Sequence, residues 1–522
     1  AGRVAHPWWP ALGPWFLLIT PVIAGLVYGP LVSRFAPEAR GHGVPEVMYA
    51  VAERGGRIPA PVSAVKALAS ALCIGSGGSV GREGPIVQIG AALGSLFGRS
   101  VRLPESRLRV LVACGAAGGI AATFNAPLTG PFFAMELILR NFAVESFGAV
   151  VLASVTASVV GRAAFGDTAF LTLPAFTMRS PLEYLLFIVL GIVVGACGVL
   201  FTRILYWTED GCDWAWRGPE WLRPAAGGLL LGGLLVLLPQ MYGVGYPVLQ
   251  NALRGDYLLG FLLVLLVGKI VAASLTIGIG GSGGIFAPSL FIGAMGGTAY
   301  GVLAHAALPD LTASPGVYGL IGMGAAFAGA TRAPITAVIV LFELTGQYTI
   351  ILPLMTAIVL ATLTSRALSA DTIYTLKLRR RGIDIDRPPH AQRLASTTVA
   401  EAMMPLPAPL PGETTLPHAA HALAISEHGI LPVIGDDGYY QGCVTARGVA
   451  EALADDQGVG GTVADLAELL PLVMRDSSLA EALTALTDAP GTGLPVLVND
   501  NQLVGWITHQ CILDSLNSTA SE

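Results

Sequence analysis

The chain has 522 residues, 53% of them hydrophobic and 12% charged, against roughly a quarter charged in soluble domains. Its formal net charge of −6 hides two unlike parts: residues 1–383 hold 25 Lys+Arg and 17 Asp+Glu, while residues 384–522 hold 4 and 18. A membrane domain followed by an acidic soluble one is expected, which argues against an enzyme of the soluble classes and against a nucleic-acid partner.

In chain order, residues 1–30 lack a basic leader and a small-residue cleavage site, so they read as a surface segment and a first apolar helix. Apolar stretches at 187–202, 224–238, 258–277 and 350–363 predict helices, some near the roughly 20 residues of a full span. Other stretches are shorter and opened by glycine and proline. Residues 75–94 (GSGGSVGREGPIVQIGAALG) are matched by 278–297 (GIGGSGGIFAPSLFIGAMGG), with Pro85 on Pro288 at an offset of 203. FNAPLTGPFFAMEL at 124–137 is matched by TRAPITAVIVLFEL at 331–344, with Pro127 on Pro334 and Glu136 on Glu343 at an offset of 207. The chain is therefore an internal duplication, with repeats expected over about 30–200 and 220–375. Doubled, broken membrane helices point to a transport site at the repeat interface.

Three glycine-rich stretches end in a proline that opens an apolar run: Gly41-His42-Gly43-Val44-Pro45, Gly81-Arg82-Glu83-Gly84-Pro85 and Gly284-Ile285-Phe286-Ala287-Pro288. Proline suits the first helical position, and glycine lets the preceding backbone turn tightly against a ligand. Helix N-termini present free N–H groups and a partial positive charge, so several of them converging form an anion site without a full cation. Such weak, shared binding is what permeation requires. Glu83 is the one acid within either glycine-rich arm of the duplicated site, and burying a charge at membrane depth costs at least ~2.5 kcal/mol, which makes it a functional candidate.

Lys377, Arg379, Arg380 and Arg381 follow the last apolar stretch and predict a cytoplasmic C-terminal domain. Cys73, Cys114, Cys197, Cys212, Cys443 and Cys511 show no metal-ligand spacing and read as buried small hydrophobes, so no metal site is expected. Residues 278–283 satisfy G-x-G-x-x-G, but the downstream acid and strand–helix context of a dinucleotide site are missing; residues 75–83 fail the P-loop pattern at Arg82-Glu83.

Residues 382–398 carry Pro-Pro and suit a linker. Beyond it, LPVIGDDGYYQGCVTARGVAEAL at 431–453 matches LPVLVNDNQLVGWITHQCILDSL at 494–516 at an offset of 63. With helices expected around 399–404, 416–428, 462–469 and 479–487, each unit reads as β-α-β-β-α and resembles a tandem pair of CBS domains over 399–518. Nucleotide-binding pairs have an Asp three residues after a Ser/Thr. Here Thr445 is followed by Gly448 and Thr508 by Cys511, so an adenine nucleotide is not expected and a structural or dimer-supporting tail is.

The three glycine-proline stretches resemble the anion-binding signatures of the CLC chloride channels and chloride/proton exchangers: GSGIP, GREGP or GKEGP, and GxFxP. The resemblance implies a mainly α membrane protein with an inverted-repeat transport domain over 1–381, followed by the α/β CBS pair. It implies a homodimer in the lipid bilayer, multi-pass in the cell (inner) membrane if bacterial, with chloride as the transported ligand and no cofactor. Glu83 falls on the gating glutamate. His42, Gly43, Arg82, Gly84, Ile285, Phe286, Ala287 and Tyr374 fall on anion-binding positions.

Two positions depart from the pattern. His42 stands where chloride-selective members usually have serine; its N–H can replace a hydroxyl donor, or the ring can point away and leave coordination to the backbone. Leu137 takes the position of the internal proton glutamate, beside Glu136, which reads either as a structural partner of buried polar groups or as a substitute proton site. Leucine carries no proton, so the sequence tips toward proton-uncoupled, voltage- or pH-gated chloride conduction, with chloride/proton exchange as the alternative. A membrane-embedded sensor with the CBS pair as output is a remote third reading.

Overall fold

A computed structural model describes residues 13–166, 179–385, 394–426, 428–454, 461–489, 493–498 and 502–517. It divides into two units, Ala1–Ile385 and Asp386–Glu522.

The first unit is helical. Its first half holds α1 (Pro14–Phe35), α2 (Val44–Glu53), α3 (Pro61–Gly75), α4 (Glu83–Ser100), α5 (Glu105–Phe124), α6 (Thr129–Phe133, continuing as a π-helix over Ala134–Leu139) and α7 (Val144–Phe165). After α8 (Glu183–Ala215), the second half holds α9 (Arg223–Leu237), α10 (Tyr246–Arg254), α11 (Leu259–Gly278), α12 (Phe286–Ala307), α13 (Pro315–Thr331), α14 (Pro334–Thr345), α15 (Ile351–Leu368) and α16 (Thr375–Arg379). Among the described residues seven helices are long and apolar enough to cross a membrane, and α3, α9 and α14 are shorter apolar helices packed among them. The four apolar stretches noted in the sequence coincide with parts of α8, α9, α11 and α15, the last three overrunning their helix by one residue.

The duplication reappears in the packing. A Cβ on Gly90 would strike the carbonyl of Gly115, and one on its repeat mate Gly293 would strike that of Gly322. Glycine is thus required where α4 meets α5 and where α12 meets α13, because the backbones themselves touch. Asn125 and Arg332, which open the FNAP and TRAP segments' turns, both cap their helices with left-handed backbone, φ 55° and 54°. Each signature helix starts one or two residues ahead of its proline, at Val44, Glu83 and Phe286, so the proline occupies the second or third position and not the first. Its missing N–H is still harmless there, since the whole first turn lacks intrahelical partners.

The second unit contains α17 (Val399–Ala402), β1 (Leu410–Pro411), α18 (Leu416–Ile425), β2 (Ile430–Ile434), β3 (Tyr440–Thr445), α19 (Ala446–Ala454), β4 (Val473–Met474), α20 (Leu479–Asp488), β5 (Gly493–Val498), β6 (Gln502–Thr508) and α21 (His509–Asn517). Its two sheets run β1-β2-β3 and β4-β5-β6, each with a parallel then an antiparallel pairing. The register slips at Val433/Ile434 in one and at the mate Val496/Leu497 in the other. The helix expected over 462–469 is instead a single 3₁₀ turn, Val463–Leu466, closed by reciprocal bonds between Thr462 and Asp465. Leading segments cross over: Met404 pairs with Trp506 of the second repeat, and Glu468 with Cys443 of the first. Burial pushes the Cys443 thiol up to about 11 despite the Tyr440 hydroxyl beside it, consistent with an inert core cysteine.

Candidate functional site

The three glycine-rich loops meet. Gly41 N–H donates to the Gly281 carbonyl at 3.1 Å, and Gly283 N–H returns a bond to the Gly41 carbonyl at 3.3 Å. Gly81 and Gly284 exchange N–H···O bonds of 2.7 and 2.6 Å as an antiparallel bridge. These two glycines are themselves repeat mates at an offset of 203, so the bridge lies on the pseudo-two-fold axis of the duplication. Fixing the loops this way brings the N-termini of α2, α4 and α12 together, and the first-turn N–H groups of a helix have no intrahelical partners.

His42 is fully buried, neither ring nitrogen has a hydrogen-bond partner among the described residues, and the ring stands edge-on to Tyr206 at 6.2 Å. Lys66, Lys377 and Arg381 are the cations acting on it. Gly43 sits at φ 83°, in the left-handed region that favours glycine. Gly84 has no room for a Cβ between the His42 carbonyl and Gly284. The Arg82 guanidinium donates to the Thr123 carbonyl at 3.3 Å, and its side chain also bonds the Tyr246 hydroxyl. Glu83 lies in the first turn of α4 at 1% exposure. Ile285, Phe286 and Ala287 line the start of α12, where the Phe286 ring packs on Phe327 at 4.4 Å and Phe124 at 5.3 Å. Tyr374 is buried at the entrance of α16 and is electrostatically coupled to Glu83.

Glu136 and Leu137 lie apart from that cluster, in the π-helical segment. The Glu136 carboxylate accepts from Ile335 N–H at 3.1 Å, Thr336 N–H at 2.7 Å and the Thr336 hydroxyl at 2.7 Å, all at the start of α14. Its mate Glu343 accepts from Leu128 N–H at 2.8 Å and from Thr129 N–H and hydroxyl at 2.6 Å each, at the start of α6. Each repeat thus caps a helix of the other, and the oxygens of Glu136 are occupied. Leu137 is buried at 5% in the apolar core.

Motif patterns missed three residues. Lys66 and Lys269 are both fully buried at an offset of 203. The Lys66 ammonium donates to the Ala39 and Gly41 carbonyls at 2.9 and 2.7 Å; that of Lys269 donates to the Gly243 and Val244 carbonyls at 3.0 and 3.1 Å and to the Ser79 hydroxyl at 2.9 Å. The second lysine holds a fourth glycine loop, Gly243-Val244-Gly245-Tyr246-Pro247, which mates with Gly41–Pro45 at an offset of 202. There the Tyr246 hydroxyl donates to Glu83 Oε1 at 2.7 Å. Extending the offset of 203 beyond the quoted segments pairs Lys66 with Lys269, but Tyr246 stands opposite Val44 and carries no such signal.

The family model for voltage gated chloride channels matches residues 24–366, and that for CBS domains matches 399–455 and 469–518. The chain belongs to the CLC family. An H(+)/Cl(−) exchange transporter ClcA from Vibrio campbellii is 37% identical over 371 residues, 70% of this chain and 79% of its own. A protein from Ralstonia nicotianae, provisionally named a ClcB-like chloride channel protein, is 36% identical over 391 residues, 74% and 90% of the two chains. Among solved structures, a slow cyanobacterial Cl⁻/H⁺ antiporter superposes with a TM-score of 0.65 at 27% identity, covering 72% of this chain and 90% of that one. This CLC protein therefore combines an anion-transport domain with a C-terminal CBS pair.

Proposed function

We propose that the chain exchanges chloride for protons, one pathway per subunit of a homodimer, with Glu83 as the moving group. The observation that carries this reading is a carboxylate, 1% exposed, in the first turn of α4, where the helix start would otherwise receive an anion. Deprotonated, it competes with the anion for the same donors; protonated, it loses the charge that holds it and yields the place. One group then serves both ions in turn. His42 and Tyr374 supply side-chain donors for the anion, and Gly43, Arg82, Gly84, Ile285, Phe286 and Ala287 supply backbone. The unpartnered ring nitrogens of His42 favour the inward-facing reading of that residue.

The lean toward passive conduction rested on Leu137; the Ralstonia relative is named a channel protein, but the Vibrio protein is named an exchanger and the cyanobacterial structure an antiporter, which favours exchange. In an exchanger with Leu137, and with Glu136 engaged by three donors, water carries the proton on the inner side. The CBS pair reads as a cytoplasmic structural tail: the Thr445 and Thr508 hydroxyls accept from the N–H groups of Gly448 and Cys511, capping α19 and α21, and calorimetry with ATP or AMP should show no saturable binding. The deciding experiment is proton uptake by vesicles of purified protein under a chloride gradient alone. Uphill proton movement is expected; chloride flux with none returns the reading to a channel.

A further inference from the structure

The fourth loop has no role in the reading above, yet it reaches the gating carboxylate. Among the repeat mates, Val44 at the start of α2 corresponds to Tyr246 at the start of α10, so the duplication puts an inert side chain in one place and a phenol in the other. The loop is rigid: Lys269 binds two of its carbonyls, Gly243 N–H reaches the Gly77 carbonyl at 3.4 Å, and Gly245, at φ 91°, lies where a Cβ would meet the Phe291 ring at 3.0 Å. The Tyr246 hydroxyl is thus delivered by a fixed backbone.

We infer that Tyr246 is a positioning residue, a latch that holds the deprotonated Glu83 side chain in the anion's place and sets the pH at which the pathway opens. This inference rests on Glu83 being the gate. The phenol donates to Oε1, and among the described residues Tyr246 is the one side chain with a hydrogen bond to this carboxylate. Arg82 from the α4 start, Lys269 from α11 and Tyr374 at α16 also act on Glu83, with Ala287 N–H from α12; His42 lies next door, its carbonyl against Gly84. Both cations favour the charged carboxylate, and because the Arg82 side chain also bonds the Tyr246 hydroxyl, removing that one oxygen tests the phenol together with the arginine it holds.

Chloride flux would be measured against pH in vesicles for wild type, Tyr246→Phe, Glu83→Gln and the double variant, each normalised to its acid plateau so that altered yield does not enter. A hydrogen bond to a charged group, lost while the ring stays, should move the half-maximal pH of Tyr246→Phe to the alkaline side by about one unit. The direction follows because the donor stabilises the closed, deprotonated form. In the Glu83→Gln background Tyr246→Phe should cause no further shift. A Tyr246→Phe profile superimposed on wild type, or an equal shift without Glu83, overturns the latch. Retained pH dependence in Glu83→Gln alone would instead overturn the gate itself.

Discussion

The two halves of the membrane unit share a scaffold and differ in chemistry. Lys66 and Lys269 tie down equivalent loops, Glu136 and Glu343 cap equivalent helices, and Gly90 and Gly293 make equivalent close contacts. The halves part at the candidate site residues: Glu83 corresponds to Phe286, His42 to Val244 and Tyr246 to Val44. The two halves share paired helix starts and differ in the side chains those starts carry. Symmetric positions are then expected to govern stability, and asymmetric ones transport.

The largest effect tests that division at its sharpest point. Glu83→Gln should abolish proton movement and the pH response while anion flux continues; a coupled Glu83→Gln protein would place the asymmetry elsewhere. Next come the lysines. Lys66→Met and Lys269→Met each remove two charge-assisted bonds to loop carbonyls, at about 1.5–3 kcal/mol per bond, so both should lower the thermal midpoint of the purified protein by similar amounts. A large drop for one alone would break the equivalence.

Glu136→Ala and Glu343→Ala should cost a comparable ~1–3 kcal/mol each through lost helix caps, with the chloride-to-proton ratio unchanged. A Glu136→Gln protein that is stable yet uncoupled would make Glu136 a proton site and the pair unequal. His42→Ser should change the chloride-to-nitrate preference several-fold, while Val244→Ser at the mate position should leave it alone.

The smallest effect belongs to the tail. Thr462 holds the exposed Asp465 carboxyl below its ordinary value through its N–H and hydroxyl. A depressed carboxyl adds stability above its unfolded value, about 3.9, and that contribution fades as pH falls through the folded value. Asp465→Asn should therefore slightly lower the melting temperature at neutral pH and leave it unchanged near pH 2.

Much of this was legible before any coordinates. Glycine followed by proline marked the starts of α2, α4 and α12 because those residue types are demanded by the backbone itself. Repeat offsets located Glu136 and Glu343 as a pair, but not their crosswise capping, since the sequence does not say which helix a carboxylate reaches. Lys66, Lys269 and Tyr246 stayed hidden for a different reason. A buried lysine among apolar residues resembles a snorkelling one, and a tyrosine before a proline resembles an interfacial anchor; only the loops they touch distinguish them. Leu137 alone does not decide between channel and exchanger, because a single leucine does not describe a whole proton route.

The crosswise caps carry one further consequence. A carboxylate that completes a helix outside its own half is an isologous contact, as between the partners of a two-fold dimer. Neither half can finish its own helix starts, so each is an incomplete folding unit whose missing part is a copy of itself. Two half-length chains meeting in this arrangement would be joined by the same crosswise bonds. The continuous polypeptide replaces that encounter with a tether, which raises the effective concentration of the two halves and lets each drift in sequence without losing its partner.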